Sequence, residues 1–182
     1  MRRITLFGGV LALACAAAGA DPAKPYAGQQ QHAIKALSPQ EVRNYLEGAG
    51  MGLAKAAELN RYPGPAHVLE HAAGLRLSRA QRTQTERLHA AMQAEAKALG
   101  ASLVEKERQL DALFAAGSID AAQLRSLVLE IGRLQAEVRL VHLQAHLEQK
   151  ALLTTSQVAA YDALRGYVDN DNAPAAHRPH RH

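Results

Sequence analysis

The sequence predicts an all-α protein: a long antiparallel helical hairpin that carries short helices at its open end. Two long stretches hold apolar residues at helical spacing and are separated by a glycine-containing reversal, "AAGSID". No run of alternating apolar and polar residues is long enough to suggest a strand. A pentad with the grammar of a helix start occurs twice, at Leu77–Gln81 and at Leu153–Gln157. With 182 residues the chain is sized for one modest domain.

In chain order, residues 1–20 read as a secretory signal. "MRR" is a basic start, "ITLFGGVLALACAAA" an apolar run, and Ala18-Gly19-Ala20 a small-x-small cleavage pattern. The apolar run is short for a membrane span and lacks a stop-transfer flank. We therefore expect an exported chain with no transmembrane segment after signal removal. Cys15 is the only cysteine and lies inside the signal. Lipid attachment there is the alternative, for which Ala12-Leu13-Ala14 is a poor fit. The mature chain then has no disulfide, so packing or metal must stabilise it. Residues 21–37 are polar and proline-containing and read as a flexible lead-in. Residues 169–182, ending in "HRPHRH", read as a disordered tail with three histidines.

Residues 38–168 form the helical-hairpin domain. Ser38 opens a short helix with Pro39 at its first position, where the missing N–H costs nothing. The glycines of "GAGMG" end it, "LAKAAELN" makes a further turn or two, and "RYPGP" stops the chain. Pro65 begins a helix expected to run to about Gly74. In each pentad the Ser or Thr oxygen accepts the N3 amide and the Gln reaches back to the cap, a capping box. Along 78–115, Leu88, Met92, Leu99, Leu103, Leu110 and Phe114 form one stripe; along 120–152, Leu124, Leu127, Ile131, Leu134, Val138, Val141 and Ala145 form another. Two such stripes pair, with Gly117 as the cap and Ser118 or Asp120 opening the second helix.

The net charge of +4 is carried by the ends, because Arg2, Arg3, Arg178 and Arg181 account for all of it. Residues 21–176 are neutral and have no Trp, so the chain lacks a nucleic-acid footprint. No Ser-His-Asp set, phosphate-binding glycine loop or carboxylate pair emerges, and no enzymatic activity is expected.

The histidines carry the chemistry. "HVLEH" sets His67 and His71 one helical turn apart, and "HLQAH" does the same for His142 and His146. Such a pair places two imidazoles on one face with Cβ atoms about 5–6 Å apart, which suits a transition metal. If the chain reverses near residue 117, antiparallel pairing sets His142 opposite about residue 93 and His146 opposite about residue 89. The second pair is then level with Glu86, His89 and Met92. A first helix folded back across the long one brings His67 and His71 to the same level. On the helical wheel His142 and His146 lie at the border of the apolar seam, within reach of solvent. Neutral imidazole is the ligand form, so binding should weaken below about pH 6 to 6.5. "HVLEH" also spells the H-x-x-E-H of inverted zinc peptidases. Those enzymes need a large α/β framework, and Glu70 reads better as a solvated carboxylate.

The paired L-[S/T]-x-x-Q pentads, "LSRAQ" and "LTTSQ", on an exported helical chain resemble the Spy/CpxP family of LTxxQ-motif periplasmic proteins. The resemblance covers about residues 38 to 167. It implies a thin, cradle-shaped helical homodimer. In the Spy-like branch it implies an ATP-independent chaperone for unfolded periplasmic proteins. In the CnrX/ZraP-like branch it implies a heavy-metal sensor binding a divalent transition metal (Zn, Ni, Co or Cu) and signalling to an envelope-stress partner. That branch has an H-x-x-x-H pair, a Glu on the next helix and an H-x-x-x-M pair. His67, His71 and His142 match, Glu86 is a counterpart at inexact spacing, and His146 stands where the pattern has Met. The stretch "GMGLAKAAELNRYPGP" is also similar to this family, without a mechanism legible in its residues.

Overall fold

The computed structural model describes residues 24–168. The signal expected over 1–20 and the tail over 169–182 lie outside the described residues. Six α-helices follow in order: α1 (Pro39–Glu47), α2 (Lys55–Glu58), α3 (Pro65–Glu70), α4 (Arg79–Ala115), α5 (Ala121–Leu152) and α6 (Thr155–Leu164). No strand occurs among the described residues. The fold is the all-α hairpin expected, with α4 and α5 as its two arms, and among the described residues no helix is long and apolar enough to cross a membrane.

The reversal between the arms follows from local chemistry. Gly117 takes φ 61, and the Ser118 N–H donates to Leu113 O while the Gly117 N–H donates to Phe114 O. This paired bonding satisfies the last carbonyls of α4. Asp120 then opens α5 with a capping box to Gln123. Below the tip, Ile131, Leu134, Val138, Val141 and Ala145 are buried along α5 as expected. The α4 stripe differs. Its buried face is Ala96, Gly100, Leu103 and Val104, whereas Phe114 is 56% exposed and, across the tip, Leu124 is 38% exposed. The reason is a third layer. Helix α1 packs on α4, and at Gly100 a Cβ would sit 2.2 Å from the Tyr45 carbonyl oxygen. Only small residues allow that approach, and the tip has no such cover.

The lead-in expected over 21–37 is docked at its end. Ile34 and Leu37 join Leu103, Val104 and Leu134 in one core cluster, and Lys35 bonds Asp111 through both its backbone N–H and its Nζ. Burying Leu103 completely contributes about 2 kcal/mol on its own. A second cluster, Val68, Leu75 and Tyr161, sits at the open end of the hairpin.

Both pentads form the capping boxes expected of them. They do more than cap. The Gln81 Nε2 donates to Gln157 Oε1 at 2.8 Å and the Gln157 Nε2 donates back to Gln81 Oε1 at 3.1 Å. Gln81 also donates to Leu152 O, and Gln157 to Leu75 O. The starts of α4 and α6 are thereby joined by a reciprocal amide pair that closes the open end.

Candidate metal site at the open end of the hairpin

The segment between α2 and α3 is what builds the site. Arg61, held at φ 65, donates from Nε to Asp162 Oδ2 at 2.7 Å and ties the segment to α6. The Tyr62 ring lies under Lys150, whose Nζ is 3.6 Å from the ring centroid. Pro65 then starts α3, which lies across α4 and α5. Beneath this cover is a cavity of about 650 Å³.

His67 of α3, His89 of α4 and His142 and His146 of α5 all line that cavity, as do Met51 and Met92. The register drawn from the sequence placed His89 and Met92 level with the second pair, and the cavity holds them together. His71 and Glu86 do not line it. Helix α3 ends at Glu70, so His71 is its C-cap at φ −96, and its ring packs edge-on against Tyr161 with centroids 6.5 Å apart. Glu86 is exposed and pairs with Arg82 one turn before it. Among the described residues no three His, Cys, Asp or Glu side chains lie close enough together, as they stand, to hold an ion.

The two α5 histidines are prepared differently. His142 is 3% exposed, not the solvent-reachable border residue expected, and its Nε2 is buried with no hydrogen-bond partner among the described residues. An unpartnered buried nitrogen costs about 1–3 kcal/mol. Burial, with the neighbouring His146, pushes its pKa down and favours the neutral ring. His146 bonds from Nδ1 to the Tyr62 carbonyl at 2.7 Å. A carbonyl only accepts, so Nδ1 carries a proton, and in a neutral ring the lone pair is then on Nε2. A backbone carbonyl orienting the far nitrogen is the usual support for a ligating imidazole. Burial also lowers the pKa of His67, helped by Arg165 and opposed by Glu58 and Glu70.

The carboxylate beside these imidazoles is Glu58, which the sequence reading missed. Tyr161 and Tyr167 donate their hydroxyls to its Oε1 at 2.6 and 3.0 Å, and His146 Nδ1 is 3.8 Å from its Oε2. Burial and this carboxylate drive the Tyr161 pKa strongly upward. Gly64 is the other missed residue. An alanine methyl there would meet His146 Cε1 and Nε2 at 2.8 Å. Both belong to the stretch that carried no legible mechanism, because a hub and a gap are defined by what packs against them.

The donor set fits a transition-metal ion in its chemistry: four imidazoles line one cavity, and one of them has a buried, unpartnered nitrogen. A helical hairpin gathering imidazoles at its open end defines a protein of the Spy/CpxP type. Residues 48–160, more than half of the chain, match the sequence pattern of the heavy-metal resistance family, that of Spy/CpxP/ZraP-like periplasmic proteins, and the chain belongs to it. No curated protein and no solved structure matches the chain significantly.

Proposed function

We propose that this heavy-metal resistance protein is a periplasmic metal-binding stress protein that senses or buffers zinc, nickel, cobalt or copper. His142 and His146 form the first half of the site, and His67 and His89 complete it from α3 and α4. The observation that carries the reading is the unpartnered Nε2 of buried His142, in a cavity lined by three further imidazoles. When bound, the ion would supply a further cross-link between α3, α4 and α5. The chain's own residues prepare for it: Tyr62 orients His146, and Glu58 with its tyrosines fixes the cavity wall. Calorimetric titration of the chain with its tail histidines replaced, using zinc, nickel and copper, tests this. Affinity should fall at least about tenfold in His67→Ala/His142→Ala. Unchanged affinity overturns the composite site.

A second reading is supported by a different surface. Leu129, Ala136, Leu140 and Leu147 form one stripe on α5 and are exposed, the leucines at 60%, 51% and 57%. An uncovered apolar stripe suits an ATP-independent chaperone holding unfolded periplasmic chains, or the second copy of a cradle-shaped dimer. Suppression of client aggregation by metal-free protein, lost in Leu140→Glu/Leu147→Glu, supports the chaperone reading. Absence of suppression at several-fold excess removes it.

A further inference from the structure

We propose that this cavity selects a soft monovalent ion, copper(I) or silver(I), with the thioethers of Met51 and Met92 joining the imidazoles of His142 and His146. The inference rests on the metal reading above and specifies which ion the site takes. The family resemblance points to divalent ions and notes that His146 stands where a Met is usual. The structure returns the sulfur from elsewhere. The chain has three methionines, of which Met1 is the initiator, and both of the others line the one cavity that also holds four imidazoles.

Methionine is often only a filler of core gaps. Met51 is not that. It is 36% exposed, on a loop whose flanking Gly50 and Gly52 have no side chain or backbone near where a Cβ would be. Its φ of 45 is the left-handed region, which costs a side-chain-bearing residue about 1–2 kcal/mol. Its neighbour Gly52, at φ 77, takes the same left-handed region without that cost, whereas Met51 places a thioether there. Met92 faces the same cavity from α4, half-buried.

The donor chemistry agrees. Two imidazoles one turn apart leave a four-coordinate ion needing two more ligands. Harder divalent ions favour oxygen or nitrogen for these, but Glu86 is outside the cavity and Glu58 is engaged by two tyrosine hydroxyls. The cavity's remaining donors are the imidazoles of His67 and His89 and the two thioethers, and of these the thioethers favour copper(I) over zinc or nickel. The open space beside Gly50 and Gly52 leaves this part of the loop room to shift toward a bound ion.

The test is anaerobic competition for copper(I) against a chromophoric chelator, alongside zinc titration, on the purified chain with His177, His180 and His182 replaced by Gln. Met51→Leu/Met92→Leu keeps volume and apolarity, and circular dichroism checks its fold. We expect this variant to bind copper(I) about a hundredfold more weakly while zinc affinity stays within about twofold. X-ray absorption of the copper(I) complex should show sulfur neighbours that the variant lacks. Copper(I) bound as tightly by the variant as by the parent, or without sulfur neighbours, overturns the proposal while leaving a histidine site standing. No binding of any of these ions by the parent overturns the metal reading itself.

Discussion

Replacing Gly64 with alanine isolates the support of His146. The backbone at Gly64 is extended, with φ −85 and ψ 146, which any residue adopts, so the glycine is not there for conformational freedom. What it provides is room. The new methyl would meet the ring at 2.8 Å, and ordinary contact begins at 3.4 Å, so the ring must retreat by about 0.6 Å. The ring is enclosed, and its Nδ1 is anchored to Tyr62 O. Overpacking costs about 1–3 kcal/mol, and losing the anchor about 0.5–1.5 kcal/mol. A total of about 1.5–4.5 kcal/mol lowers Tm by about 3–18 °C for a chain of this size. Thermal unfolding by circular dichroism measures it, and metal titration should show affinity reduced about tenfold or more. Gly64 is also the N-cap of α3, where serine ordinarily stabilises a helix. Gly64→Ser should nonetheless destabilise as alanine does, because it carries the same Cβ. In a His146→Ala background the cost of Gly64→Ala should largely vanish. A Gly64→Ala protein as stable as its parent, or an equal cost with His146 absent, refutes the reasoning.

Three further outcomes follow from the packing and the buried charges. Gly100→Ala drives a methyl into the Tyr45 backbone, which cannot swing aside, so denaturant unfolding should show a loss of about 3 kcal/mol despite alanine's better helix propensity. Gln157→Leu removes a cap and the amide pair together and leaves Gln81 half-satisfied, so the urea midpoint should report about 2–4 kcal/mol lost. Burial holds the pKa values of His67 and His142 down, so near pH 6.5 the unfolded chain takes up protons that the fold refuses. Stability of the metal-free protein is therefore full above about pH 6.5 and falls as pH drops through that value toward the lower folded pKa values. Urea midpoints at about pH 7.5 and about pH 5.5 check this, and His142→Leu should lose less on acidification than the parent.

Much of the fold is legible in the sequence because it is set by neighbours in the chain. Each of Ser38, Ser78, Asp120 and Thr154 opens its helix through a partner three residues on. Gly117 makes the reversal locally, and the reversal fixes the register that sets His89 and Met92 beside His142 and His146. Where a third element intervenes, the reading shifts. The α4 stripe turns toward Ala96 and Gly100 because α1 lies on it, and Ile34 and Leu37 of the lead-in are drawn into the core.

The site divides along the same line. The paired histidines, their level along the hairpin, and the two glutamines as helix caps are consequences of 3.6-residue periodicity and local hydrogen bonding, and chain order alone reveals them. Tertiary packing turns His71 to Tyr161 and leaves Glu86 in solvent. It alone makes Glu58 the carboxylate beside His146, Gly64 the space for its ring, and Met51 a neighbour of the imidazoles. It also turns Gln81 and Gln157 from separate caps into one cross-link. The pairs His71–Tyr161, Glu58–His146, Gly64–His146 and Gln81–Gln157 lie 76 to 90 positions apart in the chain. No local rule constrains such pairs, so they exist only once the helices have packed.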